Sequence, residues 1–162
     1  MAVAKRIEEL GLTLPQAGRG VGYYGKHYGK MKPHHRVDRL LFLSGQTAGL
    51  AADGKVILPG RLGRDLTVEQ GYEAARLTGL NCLACIEDAV GDLDRVTGLV
   101  RSLNFIACDP SFTAPHLVAS GLTDLFEQVF GPEVGVGPRA SIGVISLADD
   151  YCFETWMTVE LA

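Results

Sequence analysis

A two-layer α+β domain, with two helices packed on one face of a mixed sheet, is the fold class this 162-residue sequence predicts. Three observations predict it. After a variable N-terminal part, the elements read strand, strand, helix, strand, helix, strand, strand, with no repeat or linker dividing them. Val68, Tyr72, Ala75, Gly79, Cys82, Ile86 and Ala89 recur at helical spacing and mark one face of a long helix lying on something flat. The last segment alternates, with Phe153, Thr155, Met157, Val159 and Leu161 set against Glu154, Trp156, Thr158 and Glu160.

The elements follow in order. Residues 3–10 predict a short helix closed at Gly11. Residues 15–36, PQAGRGVGYYGKHYGKMKPHHR, are Gly-rich, basic and aromatic without a period, and read as loop with room for one extended stretch. Arg39–Gln46 predicts a strand. Asp53-Gly54 predicts a tight turn into a second strand around Lys55–Leu58. Residues 60–65 read as loop. Thr67-Val-Glu-Gln70 is a capping-box pattern that opens the long helix, and Gly91 suits its C-cap. Gly79 and the neighbouring alanines would let this helix lie close to a sheet. Arg95–Ala107 is β-rich. Pro115, after Thr113, opens a second helix with an apolar face of Leu117, Val118, Gly121, Leu122, Leu125, Phe126 and Val129, ended by Gly131-Pro132. Strands at 139–147 and 152–161 close the chain.

Composition bounds the function. The chain is 47% hydrophobic and 21% charged, enough to fill one core. No apolar run reaches membrane-spanning length. The charged N-terminus lacks a signal-peptide core, so a cytoplasmic location is expected. The net charge of −4 gives no general attraction to nucleic acid. It is uneven, however: residues 17–39 hold six Lys/Arg and one acidic residue. Four cysteines, Cys82, Cys85, Cys108 and Cys152, are expected to be reduced. The Cys82-x-x-Cys85 pair has the spacing of redox or metal motifs, but it sits within a helical stretch and reads as core packing. GRGVGY at 18–23 lacks the strand–turn–helix setting of a dinucleotide loop. His27, His34, His35 and His116 do not form a metal spacing. His34-His35 is the pair placed to face a cleft, and Trp156 suits an interface better than a ligand.

Two features carry chemistry. Arg139 follows Gly137-Pro138 at the entry to a strand, and Glu154 lies 15 residues later. If the last two strands are antiparallel neighbours, the two side chains approach each other. They then form either an ordinary ion pair or a site in which the guanidinium grips a carboxylate and Glu154 positions a water. Leu43-Ser44-Gly45-Gln46 ends the first strand; it is either a plain turn or a place where backbone and hydroxyl touch a ligand.

LFLSGQ, the DGKV turn, GRLGRDLTVEQGYEAARLTGLNCLACIEDAVGDLDRV, DPSFT, VASGLTDLFEQVFG and PRASIGV, in that order and spacing, resemble the reactive-intermediate deaminase (Rid, YjgF-like) superfamily, in its longer subgroup. The resemblance spans residues 31–161 and implies a single Rid-like domain over 1–162, with 1–36 variable and 37–161 the family core. It implies a chorismate-mutase-like fold and a homotrimer with sites between subunits. The activity it implies is hydrolysis of reactive enamines and imines to 2-keto acids and ammonia, with no metal or organic cofactor. Such proteins have often been labelled endoribonucleases. Carried over residue by residue, Arg139 matches the arginine that grips the substrate carboxylate. Glu154 matches the glutamate that positions the attacking water, and Ser44 and Gly45 match the pocket-lining S-G. A neighbouring backbone carbonyl would hold the imine nitrogen.

The sequence departs from the family pattern at three pocket positions. Met31 stands in place of a tyrosine, Ser120 in place of an asparagine, and Ser141 in place of a cysteine. Tyr24, Tyr28 or His34 would be replacements for the tyrosine. Two other classes stay open: a non-catalytic regulatory trimer that binds small carboxylates, and an RNA-interacting protein using residues 17–39. The first predicts saturable binding without turnover, the second strongly salt-dependent binding.

Overall fold

The computed structural model describes residues 2–15 and 28–162. The GRGVGY stretch, Tyr24, His27 and most of the predicted N-terminal loop therefore lie outside the described residues. Helix α1 spans Ala2–Glu9, and Gly11 beyond it is left-handed, at φ 64°. The Asp94 carboxylate accepts the backbone N–H groups of Ala2 and Val3 at 2.9 and 2.8 Å, which docks α1 on the core.

Five strands form one sheet: β1 (His34–Val37), β2 (Leu40–Leu43), β3 (Val96–Ala107), β4 (Arg139–Val144) and β5 (Phe153–Leu161), in the order β1-β2-β5-β3-β4. Only β3 and β4 run parallel. Two long helices, α2 (Val68–Val90) and α3 (Pro115–Phe130), pack together on one face, and a single turn, α4 (Pro132–Gly135), follows α3. The two-layer α+β class is thus observed.

Local signals in the sequence account for both helices. Thr67 accepts the Gln70 N–H at 3.3 Å, while the Gln70 side chain accepts the Thr67 N–H at 2.9 Å, so the capping box forms. Gly91 ends α2 at φ 76°. Thr67→Ala is expected to cost about 1 kcal/mol, read as a Tm lower by roughly 2–4 °C for a chain of this size. An unchanged Tm would show that the cap contributes nothing. Pro115 takes the first position of α3 as expected, but the N-cap is Ala114 and makes no side-chain cap bond. On β5, Phe153, Thr155, Met157, Val159 and Leu161 are all buried beneath the helices.

Three expectations are corrected. Residues 55–58 do not form a sheet strand. The Asp53-Gly54 turn is real, with Gly54 at φ 80°, but the pairing stops at one bridge between Leu50 and Val56. Leu58 adopts φ 52°, which breaks the extended backbone, and Pro59 follows it without an N–H to donate. The fifth strand is β1 instead, inside the segment read as loop. Gly79 does not bring α2 close to the sheet; a Cβ there would meet Leu125 Cδ2 at 2.7 Å, so it serves the contact with α3. The last two strands are not neighbours: β4 pairs only with β3, and β5 lies on the other side of β3.

The four cysteines are free and buried. Burial holds the Cys82 thiol well above its ordinary pKa and pushes Cys152 up to about 11. The full burial of both side chains inside α2 agrees with Cys82 and Cys85 as packing residues. Among the described residues, no helix is long and apolar enough to cross a membrane.

Among the described residues, no helix covers the sheet face away from α2 and α3. That face carries Trp156 (52% exposed) of β5 itself, Phe42 (41%) through its pairing with Thr158, Val37 (49%) through Leu40 and Glu160, and Ile142 (42%) through Phe105 and Glu154.

Candidate functional site

The sequence-predicted residues gather into two clusters on opposite faces of the sheet. The first is built on Arg139. A Cβ on Gly137 would meet Leu99 Cγ at 3.0 Å and overlap its carbonyl, so the chain enters β4 pressed against β3. Pro138 supplies the carbonyl that accepts Ser102 N–H at 3.1 Å. Arg139 then sits opposite Ser102, on the helix side, and its guanidinium reaches α3. Nη1 donates to Thr123 Oγ1 at 2.8 Å, and Nη2 to the His116 carbonyl at 3.3 Å and Ser120 Oγ at 3.4 Å. Ser120 in turn donates to the His116 carbonyl at 3.1 Å.

All of these partners are neutral. No carboxylate among the described residues pairs with Arg139, so its charge stays uncompensated and part of its five-donor fork stays open. The ordinary Arg139–Glu154 ion pair does not form. Ser141 lies two residues along the same strand, opposite Asn104. Ser120 and Ser141 are thus both brought to Arg139. His116 acts through its backbone. Thr123 was not singled out from the sequence, although its position three residues after Ser120 puts both on one helix face.

The second cluster surrounds Glu154, on the uncovered face. A Cβ on Gly45 would lie 2.9 Å from the Glu154 carboxyl carbon and overlap Oε1. Only glycine leaves room for this carboxylate, which rests in the space a side chain would fill. Trp156 Nε1 donates to the same oxygen at 2.9 Å. Ser44 closes one end: its N–H donates to the Pro33 carbonyl at 2.9 Å and its hydroxyl to the Lys32 carbonyl at 2.5 Å. These bonds tie Lys32 and Pro33 to Ser44; Met31, next in the chain, is exposed. Tyr28, further along that segment, donates to the Asp149 carboxylate in the loop before β5. Burial first, and then Asp149, push the Tyr28 phenol well above its ordinary pKa. His34 pairs with Leu43, next to Ser44, while His35 pairs with Phe42.

A row of polar side chains that sequence reasoning missed runs between the clusters under the sheet. Gln46 bridges to Thr155, Thr155 pairs with Asn104, and Asn104 pairs with Ser141. Thr155 Oγ1 donates to Asn104 Oδ1 at 2.7 Å, and the Asn104 amide donates to Ser102 Oγ at 3.4 Å. Gln46, Ser102, Asn104 and Thr155 are all buried. The only sequence signal was their polarity at inward positions of alternating strands. No group of three His, Cys, Asp or Glu residues among those described is arranged to hold a metal ion.

The match to known families is decisive at this point. The family described as "YjgF/chorismate mutase-like, putative endoribonuclease" matches residues 5–145. The chain belongs to the YjgF-like (Rid) family. Protein TCP17 of Trypanosoma cruzi is 35% identical to this Rid chain over 159 residues, covering 98% of it and 94% of TCP17. The crystal structure of Atu1372 from Agrobacterium tumefaciens superposes with a TM-score of 0.85 at 31% identity, covering 99% of this chain and 94% of that one. A Shewanella oneidensis crystal structure, described as that of a "putative endoribonuclease", gives a TM-score of 0.86 at 28% identity, covering 98% of this chain and 99% of that one. The chorismate-mutase-like fold expected from the sequence is therefore the fold observed, and both clusters lie on this Rid scaffold.

Proposed function

We propose that the protein is a cofactor-independent hydrolase of small imines and enamines that bear a carboxylate, releasing a keto acid and ammonia. The observation that carries this reading is Arg139, a guanidinium aimed by three neutral acceptors and left without a carboxylate of its own. It is the complement of an anionic substrate.

The reaction follows from the groups present. The substrate carboxylate binds Arg139. Water held at Glu154 adds to the electrophilic C=N carbon, and the carboxylate takes a proton from that water. The proton passes to nitrogen, giving a carbinolamine; the carboxylate then takes the hydroxyl proton and hands it to the amine, so that the C–N bond breaks as the C=O group forms and ammonia leaves. An enamine enters the same path after protonation at carbon to its imine tautomer.

Arg139 and Glu154 lie on opposite faces of one sheet, so a site using both takes them from two copies of the chain. The uncovered face with Phe42, Trp156 and Ile142 supports this, and a homotrimer with inter-subunit sites is the proposed assembly. Met31, Ser44, Gly45, Ser120 and Ser141 then line the pocket.

The test is release of keto acid and ammonia from freshly generated 2-aminoacrylate, compared with the Arg139→Ala variant. Equal rates for the two proteins would overturn the proposal. Saturable carboxylate binding without turnover would favour the regulatory trimer instead. Thr123 gives a finer check. Thr123→Val removes the 2.8 Å acceptor of Nη1 and is expected to weaken binding of a small 2-keto acid about three- to ten-fold by calorimetric titration. Thr123→Ser is expected to restore it.

A further inference from the structure

We propose that Trp156 is a positioning residue for Glu154, and that its indole N–H holds one carboxylate oxygen so that the other faces the reacting water. The proposal rests on the hydrolase reading above for its chemistry, but the hydrogen bond itself stands on geometry alone.

A glutamate side chain has three rotatable bonds, and an exposed one samples many rotamers. Glu154 is constrained on three sides. Its carboxylate is seated in the hollow left by Gly45, its Oε1 accepts from Trp156 Nε1 at 2.9 Å, and its backbone is paired with Phe105 across β3. Trp156 is itself fixed. Its ring meets Phe105 edge-on, with centroids 5.2 Å apart and planes at 62°, and its Nε1 lies 3.3 Å from where a Gly45 Cβ would stand. An indole has one donor and no acceptor, so this contact can have only one polarity. Oε2 takes no hydrogen bond from any described residue. The carboxylate is therefore clamped through one oxygen and open through the other, as a group that must orient a water requires.

Trp156 is the chain's single tryptophan, which makes it a clean spectroscopic reporter in the intact protein. The ultraviolet resonance Raman band sensitive to indole N–H hydrogen bonding is compared between wild type and Glu154→Leu, a change that keeps bulk but removes the acceptor. The band is expected to move to its weakly bonded position in the variant. An identical position in both proteins overturns the proposal, whatever the activity.

The second arm is a double-mutant cycle on imine hydrolysis with Trp156→Phe, Glu154→Gln and the pair. Trp156→Phe keeps an aromatic ring against Phe105 and removes the donor. It is expected to lower kcat about ten-fold, with KM within about two-fold of wild type. In the Glu154→Gln background it is expected to cause no further loss. An equal loss in both backgrounds would assign Trp156 a packing role and overturn the proposal; so would undiminished kcat in Trp156→Phe. Size-exclusion profiles matching wild type show that assembly is intact. If no form of the protein turns over imines, the functional reading fails and the Raman comparison still decides the clamp.

Discussion

Arg139→Ala is expected to lower kcat/KM for 2-aminoacrylate hydrolysis by about 10²–10³, the loss associated with a charged fork that binds a carboxylate through paired donors. At 1.4 kcal/mol per factor of ten this is about 3–4 kcal/mol of transition-state binding. Arg139→Lys is expected to recover little, because an ammonium cannot span the acceptors on Thr123 and Ser120 and still offer two parallel donors. Stability should barely change. Arg139 is exposed on an edge strand, where loss of its bonds to Thr123 and Ser120 costs about 1 kcal/mol or less. Steady-state kinetics beside thermal melts of the same samples check both parts. A variant that keeps its Tm and loses its rate supports the carboxylate anchor. One that loses both in proportion would mean that Arg139 merely ties β4 to α3.

Gly121→Val is expected to be the most destabilising of the single changes considered. A Cβ on Gly121 would overlap the Tyr72 carbonyl oxygen and lie 2.8 Å from its carbon and 3.1 Å from Arg76 N. These are backbone atoms of α2, which cannot rotate away as side-chain ends can. The helices must separate, and the seam that includes Gly71, Gly79, Leu122 and Leu125 loosens with them. Overpacking of this kind costs about 1–3 kcal/mol and occasionally more, and valine offers little helix propensity in return. A loss of about 3 kcal/mol would lower Tm by roughly 6–12 °C. Gly98→Ala is the control: its nearest neighbour would be Glu160 Oε2 at 3.8 Å, and its Tm should stay within about 2 °C of wild type. Similar melts for the two variants would show that α2 and α3 do not depend on this close approach.

Much of the fold was legible from residues close together in the chain. Thr67 and Gln70 write the capping box of α2, Gly91 its end, and Pro115 the start of α3, because each acts on backbone groups within a turn of itself. The alternation of β5 was legible for the same reason. The hairpin at 55–58 was not. Its turn residues were read correctly, but Leu58 takes φ 52°, a left-handed conformation that leucine seldom adopts and that no local propensity announces. The partner of β2 came instead from His34–Val37, four residues too short and too polar to declare a period.

The candidate site divides along the same line. Ser44, Gly45, Arg139 and Glu154 were singled out from the sequence; Arg139 keeps part of its donor fork open and Glu154 one carboxylate oxygen, while Ser44 is engaged with the Lys32 and Pro33 carbonyls. Their grouping was decided by strand order. The short link between β4 and β5 resembled a hairpin. But α3 between β3 and β4 makes a crossover, which delivers a parallel strand to the outer side of β3. That placement separates Arg139 from Glu154, turns them to opposite faces, hands the arginine to Thr123 and Ser120, and leaves the glutamate to Gly45 and Trp156. The sequence by itself determined the fold class and the helix limits, which follow from periodicity and capping within a few residues, and its resemblance to the Rid family picked out the candidate side chains. Only the tertiary structure decided which of those side chains meet, because strand order is settled by packing between segments far apart in the chain.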